Sequence, residues 1–223
     1  MSQIDTLEAV FDRRYSCRGF KPDPVPADII ERIVRTAGKT PSWCNAQPWQ
    51  ITVTQGAATD AFRAGLKSTA QTSDPKPDFD WPAGYPGVYG DRRRTCGYQL
   101  YEAVGIARDD RKGRAAQSDR NYALFDAPHV AIVHSEAALG PYGALDCGGF
   151  VTSFMMAATS LGVATIAQAS VAAYPDFIRS HFDLGEDRMV LCAISFGYED
   201  LDHPANGFRT DRAALDEVLD LRC

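Results

Sequence analysis

Residues 147–161, CGGFVTSFMMAATSL, are apolar nearly all round. A helix without a polar stripe has no stable place on a wet surface, so this stretch is expected to form a central, fully buried helix closed by Gly162. The rest of the chain has to enclose it. Short apolar runs stand on either side: HVAIVH at 129–134, VATIA directly after Gly162, and MVLCAISF at 189–196, the most convincing strand of all. WQITVT at 49–54 adds a fourth, rich in β-branched residues. Helical spacing appears at 3–13 (Ile4, Leu7, Val10, Phe11) and at 27–38 (Ile29, Ile30, Ile33, Val34), where Gly38 stands in the C-cap position. It recurs at 58–70, at 91–107 through Leu100, Tyr101 and Val104, and at 173–182. Pro22, Pro24 and Pro26 exclude a helix between the first two. Residues 213–221 read as a short helix or an extended arm. Helices and strands mix without regular alternation, which favours an α+β fold over a doubly wound sheet. At 223 residues the chain is expected to be a single domain, 1–223.

Several functions are disfavoured at this level. The formal net charge is −6, a poor basis for general nucleic-acid binding. No apolar run approaches the ~18 residues that span a membrane. The N-terminal MSQIDTLEAVFDRRYS lacks the apolar core of a signal peptide, so a cytoplasmic location is expected. Six cysteines and four histidines are scattered without metal-ligand spacing, so no metal is expected and the cysteines read as reduced thiols. No Gly-x-Gly-x-x-Gly or P-loop pattern is present. Residues 71–95 form a long excursion. Within 71–89 it carries four prolines together with Phe79, Trp81, Tyr85 and Tyr89, too aromatic for a disordered linker and of the kind that makes a lid or pocket wall. Arg92, Arg93 and Arg94 are more simply a solvated or acid-paired face than a phosphate patch.

Three segments carry candidate chemistry. Arg14-Tyr15-Ser16-Cys17-Arg18-Gly19-Phe20 joins two fixed cations to hydroxyl donors, suited to phosphate and planar carbonyl groups. A basic helix end satisfying the dipole would look the same. Residues 41–49, PSWCNAQPW, hold two prolines, two tryptophans, Asn45 and Gln47; amides that both donate and accept suit the edge of a heteroaromatic ring. A plain turn into the following strand is the alternative. Gly197-Tyr198-Glu199-Asp200 ends a strand, and the loop beyond it delivers Arg209 and Arg212, each a plausible anion contact or a plain surface residue.

In this order the three segments resemble the nitroreductase family of flavoenzymes, from about Leu7 to about Arg212. Phe125-Asp126-Ala127-Pro128 before a strand, and Asp146 opening the apolar helix with Met155, Met156, Ala157 and Ala158, fit the same pattern. The resemblance implies a nitroreductase-like fold: a central, mostly antiparallel sheet flanked by helices in an intertwined homodimer, with residues 205–223 as a C-terminal arm. It implies FMN as cofactor and NADPH or NADH as electron donor. The FMN phosphate would be held by Arg14, Ser16 and Arg209, with Tyr15 beside them and Arg212 a weaker candidate. Arg18 would lie near the flavin N1 and C2 carbonyl, where a fixed cation favours the reduced cofactor. Pro41, Ser42, Trp43 and Asn45 would reach across the dimer interface with Gln47 placed nearby, and Trp43 would narrow the pocket towards flat aromatic substrates. Ala167, Gln168 and Ala169 would offer backbone contacts at the N5 edge, though relatives often carry an acid near Ala169. One of Arg92, Arg93 or Gln99 would touch the flavin from the excursion.

The implied reaction is ping-pong: hydride from NAD(P)H to the flavin, then to an electron-poor acceptor, with a nitroaromatic compound the leading candidate. No catalytic side chain is required, because the flavin carries the chemistry. Enone or quinone reduction, dehalogenation and azoline oxidation on the same scaffold are alternatives, since fold does not fix substrate. A nonenzymatic flavin-binding protein is the remoter one.

Overall fold

The computed structural model describes residues 2–222. Seven α-helices and four strands appear among them: α1 (Gln3–Arg13), α2 (Ala27–Ala37), β1 (Gln50–Gln55), α3 (Ala57–Thr72), α4 (Val88–Ala103), α5 (Arg111–Asp119), β2 (His129–Glu136), α6 (Gly140–Ser160), β3 (Ala164–Gln168), α7 (Pro175–Phe182) and β4 (Arg188–Gly197). The strands form one antiparallel sheet in the order β1-β2-β4-β3, as the α+β reading expects.

Alternation along the two central strands explains the layering. Ala131 and Val133 of β2, with Ile194 and Phe196 of β4, face one side. There they meet Ile30 and Ile33 of α2 and Phe150 and Phe154 of α6. Val130, Ile132, Val190 and Ala193 face the other side, against Phe62 and Leu66 of α3 and Ile178 of α7. Side chains of period two thus serve two cores. An antiparallel strand covered on both faces reads as a continuous apolar run, which is why HVAIVH carries no polar alternation. His129 is enclosed with it. Its Nε2 accepts from the Val25 N–H at 2.8 Å, its Nδ1 donates to the Thr54 carbonyl at 3.0 Å, and its ring stacks on Phe196.

Several expectations change on contact with the structure. The apolar helix begins at Gly140, seven residues before 147, so Asp146 stands inside it and does not open it. Nor is it fully buried. Cys147, Phe150, Phe154 and Ala158 are enclosed, but Leu145 is 69% exposed and Gly148 and Thr152 lie on the surface. Gly38 is right-handed at φ −62°, so it caps α2 without the left-handed turn expected of it. The expected helix at 91–107 lies at Val88–Ala103, and that at 213–221 is one 3-10 turn, Leu215–Glu217. The last residue of the C-terminal arm, Cys223, lies outside the described residues.

The segment after α1 is fixed by the sheet. Ser16 bridges Thr165 in parallel, and the Cys17 N–H donates to the Thr165 carbonyl at 3.1 Å. Phe20 bridges Glu199, and the Lys21 N–H donates to Tyr198 at 2.8 Å. Residues 16–21 therefore run along the β3 edge to the end of β4, which places Arg18 beside both.

Candidate functional site

The first and third motifs converge on one cavity of about 440 Å³. Arg14, Tyr15, Ser16 and Arg18 line it from the segment after α1, Arg209 and Arg212 from the C-terminal loop, and Cys96 from α4. None of the four arginines has a carboxylate within ion-pair distance among the described residues, whereas Arg63, Arg92, Arg94, Arg120 and Arg179 all do. Burial holds Arg14 below the usual arginine value, and the nearby Arg212 charge pushes the same way. Burial lowers Arg18 likewise. Packed like charges without a counter-ion are costly, and a bound anion is the chemistry that relieves them.

The guanidinium groups are oriented by their surroundings. Arg209 lies 3.6 Å over the Tyr15 ring, and its Nη1 donates to the Asn206 and Phe208 carbonyls at 2.8 Å each. The Tyr15 hydroxyl donates to Glu199. Burial first, and that bond second, hold the phenol far above its usual range, so it stays protonated as a donor. Arg18 donates from Nη1 to the Ser16 carbonyl at 3.1 Å. Its backbone N–H donates to Asn206 Oδ1 at 2.8 Å. Asn206, only 5% exposed, also donates through Nδ2 to the Gly19 and Asp200 carbonyls at 2.8 Å each. One buried amide therefore ties together the two loops that carry the four cations.

A second cavity of about 260 Å³ continues from Arg18. The exposed Ala167 and Ala169 at the end of β3 border it, with Tyr101 of α4 and Gln117 and Ser118 of α5 opposite. The Gln168 side chain points away from solvent. It accepts from Ser195 and donates to the Asn121 carbonyl at 2.9 Å, which leaves only the main chain at this position for a ligand.

The 41–49 loop is elsewhere. Trp43 and Cys44 line a separate apolar pocket of about 230 Å³ with Tyr142 and Leu139, which shares no residue with the cation cavity. The Trp43 N–H donates to Asp146 Oδ2 at 3.1 Å, and its ring meets Tyr142 edge-on at 4.3 Å. The Gln47 N–H donates to Ser42 Oγ at 2.9 Å. Cys44, Asn45 and Gln47 hold φ of 52°, 55° and 49°, strained positions for non-glycine residues. Pro41, Trp43, Asn45 and Gln47 are exposed.

The excursion reaches the site differently from the expectation. Arg92 pairs with Glu217 at 2.9 Å, Arg93 lies over Tyr85, and Arg94 pairs with Asp91; neither Arg92, Arg93 nor Gln99 lines either cavity. Cys96, Leu100 and Tyr101 of the same helix do. Sequence reading also passed over Asn206, Glu199, Gln117 and Ser118. Asn206 and Glu199 lay inside the third motif, and a buried amide beside two arginines was the available signal. Among the described residues no group of three or more His, Cys, Asp or Glu could hold a metal ion, and no helix is long and apolar enough to cross a membrane.

The family model described as Nitroreductase family matches residues 12–198. The chain is 34% identical over 212 residues to nitroreductase NfnB of Mycolicibacterium smegmatis, covering 95% of this chain and 90% of that protein. It is 31% identical over 210 residues to a 4-nitrobenzoate reductase of Pseudomonas putida, covering 93% and 92%. Its fold superposes on the crystal structure of the FMN-dependent nitroreductase NfnB from Mycobacterium smegmatis in complex with NADPH, with a TM-score of 0.95, 32% identity and full coverage of both chains.

Proposed function

The chain belongs to the nitroreductase family, and on that footing we propose that it is an FMN-dependent oxidoreductase. It takes hydride from NADPH or NADH and gives it to an electron-poor acceptor, a nitroaromatic compound before others. The observation that carries this reading is the cavity in which Arg14, Arg18, Arg209 and Arg212 meet, none of them ion-paired among the described residues although Asp12 also lines the wall. The cavity leads through Arg18 to the exposed Ala167 and Ala169 at the end of β3.

The residues present fit FMN. Arg14, Ser16, Arg209 and Arg212 would hold the phosphate, as forked donors around a dianion. Arg18, buried and fixed by Asn206, would stand at the pyrimidine edge of the ring system and stabilise negative charge there. The main chain at Ala167, Gln168 and Ala169 would border the opposite edge. When bound, FMN supplies the two-electron carrier that accepts hydride at N5 and returns it to the acceptor. Tyr15 acts through Arg209 by bracing the guanidinium. No protein group need serve as nucleophile.

The homodimer is part of the proposal. α6 is apolar, yet its Leu145 and the adjoining Leu139, Tyr142 and Trp43 stand exposed, as do Ile4, Leu7 and Phe11 of α1. A second copy would cover such a surface. The exposed loop carrying Pro41, Ser42, Trp43, Asn45 and Gln47, distant from its own cation cavity, would then serve the partner's. We take the chain as one domain acting in the cytoplasm, with 71–95 as a lid and 205–223 as an arm tethered through Glu217. Steady-state turnover of the FMN-loaded protein with nitroarenes, quinones and enones tests the reading. Nitroarene reduction with the highest kcat/KM is expected. Turnover of enones or quinones alone would move the protein to another activity of the scaffold, and no turnover at all would make it a flavin-binding protein.

A further inference from the structure

The electron donor reads as NADPH or NADH, which differ only by a phosphate on the adenosine ribose. The surface beside the second cavity bears on the choice between them, and the inference rests on the function proposed above. Gln117 and Ser118 of α5 border the second cavity, the one reached through Arg18 and Ala167. On a helix of 3.6 residues per turn, Arg114 lies on the same face as both, and Arg111 one turn further on. At 1.5 Å per residue Arg114 is about 5 Å along the axis from Gln117, and Arg111 about 9 Å. The stripe thus begins at the cavity wall and leads outward from it. Arg111 is exposed and Arg114 partly so.

Neither arginine has a carboxylate within ion-pair distance among the described residues. The nearest acid in sequence, Asp110, is occupied elsewhere: its Oδ1 accepts the Gly113 N–H at 2.8 Å and caps α5. Arg108, at the corner between α4 and α5, lies 4.6 Å over the Tyr98 ring and is likewise unpaired. Residues 108–114 thus hold three arginines that no carboxylate engages among the described residues. A dinucleotide whose nicotinamide end enters the cavity carries its adenosine end outside it, so a residue that reads the 2′-phosphate has to stand away from the cavity mouth. We propose that Arg114 and Arg111 form a subsite for the 2′-phosphate of NADPH and make this protein prefer NADPH to NADH.

Two readouts test the subsite. The first is the ratio of kcat/KM for NADPH to that for NADH, measured on FMN-loaded wild type and on the Arg111→Ala/Arg114→Ala double variant. The wild type should favour NADPH, and the double variant should lose about 10- to 100-fold of that ratio through KM for NADPH, the cost of one or two hydrogen bonds to a charged group. The second is calorimetric titration with adenosine 2′,5′-bisphosphate against 5′-AMP. The bisphosphate should bind wild type about tenfold or more tighter, and the variant should bind the two alike. A wild type that prefers NADH, or a variant that keeps the wild-type ratio and the wild-type discrimination between the two nucleotides, overturns the subsite alone. Oxidation of neither dinucleotide by FMN-loaded protein overturns the underlying function, and the subsite with it.

Discussion

Asn206→Ala removes the single side chain that joins the two cation-bearing loops. Its three bonds, each 2.8 Å, satisfy the Arg18 N–H and the Gly19 and Asp200 carbonyls, and the residue is 5% exposed. An orphaned buried group costs about 1–3 kcal/mol, and a water entering the vacated space recovers part of it. The net loss is therefore about 3–4 kcal/mol, which for a chain of this size lowers Tm by roughly 6–16 °C. Freed from their common anchor, Arg18 and Arg209 should also hold FMN more weakly, by about 10- to 100-fold in Kd. Calorimetry on the apoprotein gives the stability. Flavin fluorescence quenching, measured well below the variant's Tm, gives the affinity. Phe62→Leu, in the core on the far face of the sheet, supplies a destabilised control with the cavity intact. A loss under about 1 kcal/mol would refute the hydrogen-bond reasoning. An FMN affinity no weaker than that of Phe62→Leu would refute the anchoring role.

Further outcomes follow from the same geometry. Arg14→Gln, Arg209→Gln and Arg212→Gln should each weaken FMN by about tenfold while leaving riboflavin, which lacks the phosphate, little changed; equal losses for both ligands would count against a phosphate site. His129 and His134 are buried and held below their usual pKa, chiefly by desolvation. The unfolded chain therefore binds more protons just below the ordinary histidine pKa of about 6.5, so stability should be full above that pH and fall as pH drops through it. A flat stability profile between pH 7 and 5.5, measured by urea melts, would contradict this. Arg179 pairs with Asp78 at 2.6 Å, and Asp78 also accepts the Val190 N–H at 2.9 Å. Arg179→Ala should loosen the base of the aromatic excursion and raise limited proteolysis within residues 79–87, with no change expected if the excursion is held elsewhere.

Local pattern made much of the fold legible. The β-branched runs and the irregular order of helices and strands led to an α+β fold, the family resemblance to its mostly antiparallel sheet, and the first and third motifs to one cavity. Pattern misjudged α6 because an apolar helix reads the same whether its own chain covers all of it or leaves part of it exposed; Leu145 and Tyr142 show the difference only in three dimensions. It was silent on α5, whose RKGRAAQSD has no apolar stripe and whose stability begins with the Asp110 cap. It was silent as well on the turn of Leu124, Phe125 and Asp126, three non-glycine residues at φ of 56°, 51° and 61°. That turn is held from outside, by Arg63 donating to the Ala123 and Ala127 carbonyls at 3.1 and 2.6 Å. Register and long-range bracing of this kind have no short-range signature. Asn206 is the same case at the site: an ordinary loop residue in sequence, and the tie between two motifs nearly 190 positions apart once folded.

On the proposed reading Arg14, Arg209 and Arg212 hold a flavin phosphate, and Arg18 stands at the edge of its ring system. Anaerobic titration of the purified apoprotein with FMN, followed by addition of NADPH, tests it most directly. One FMN bound per chain, with its absorbance near 450 nm bleached by NADPH and restored by a nitroarene, is the predicted result. A protein that takes up no FMN, or that binds it and leaves it oxidised in the presence of both NADPH and NADH, would contradict the account.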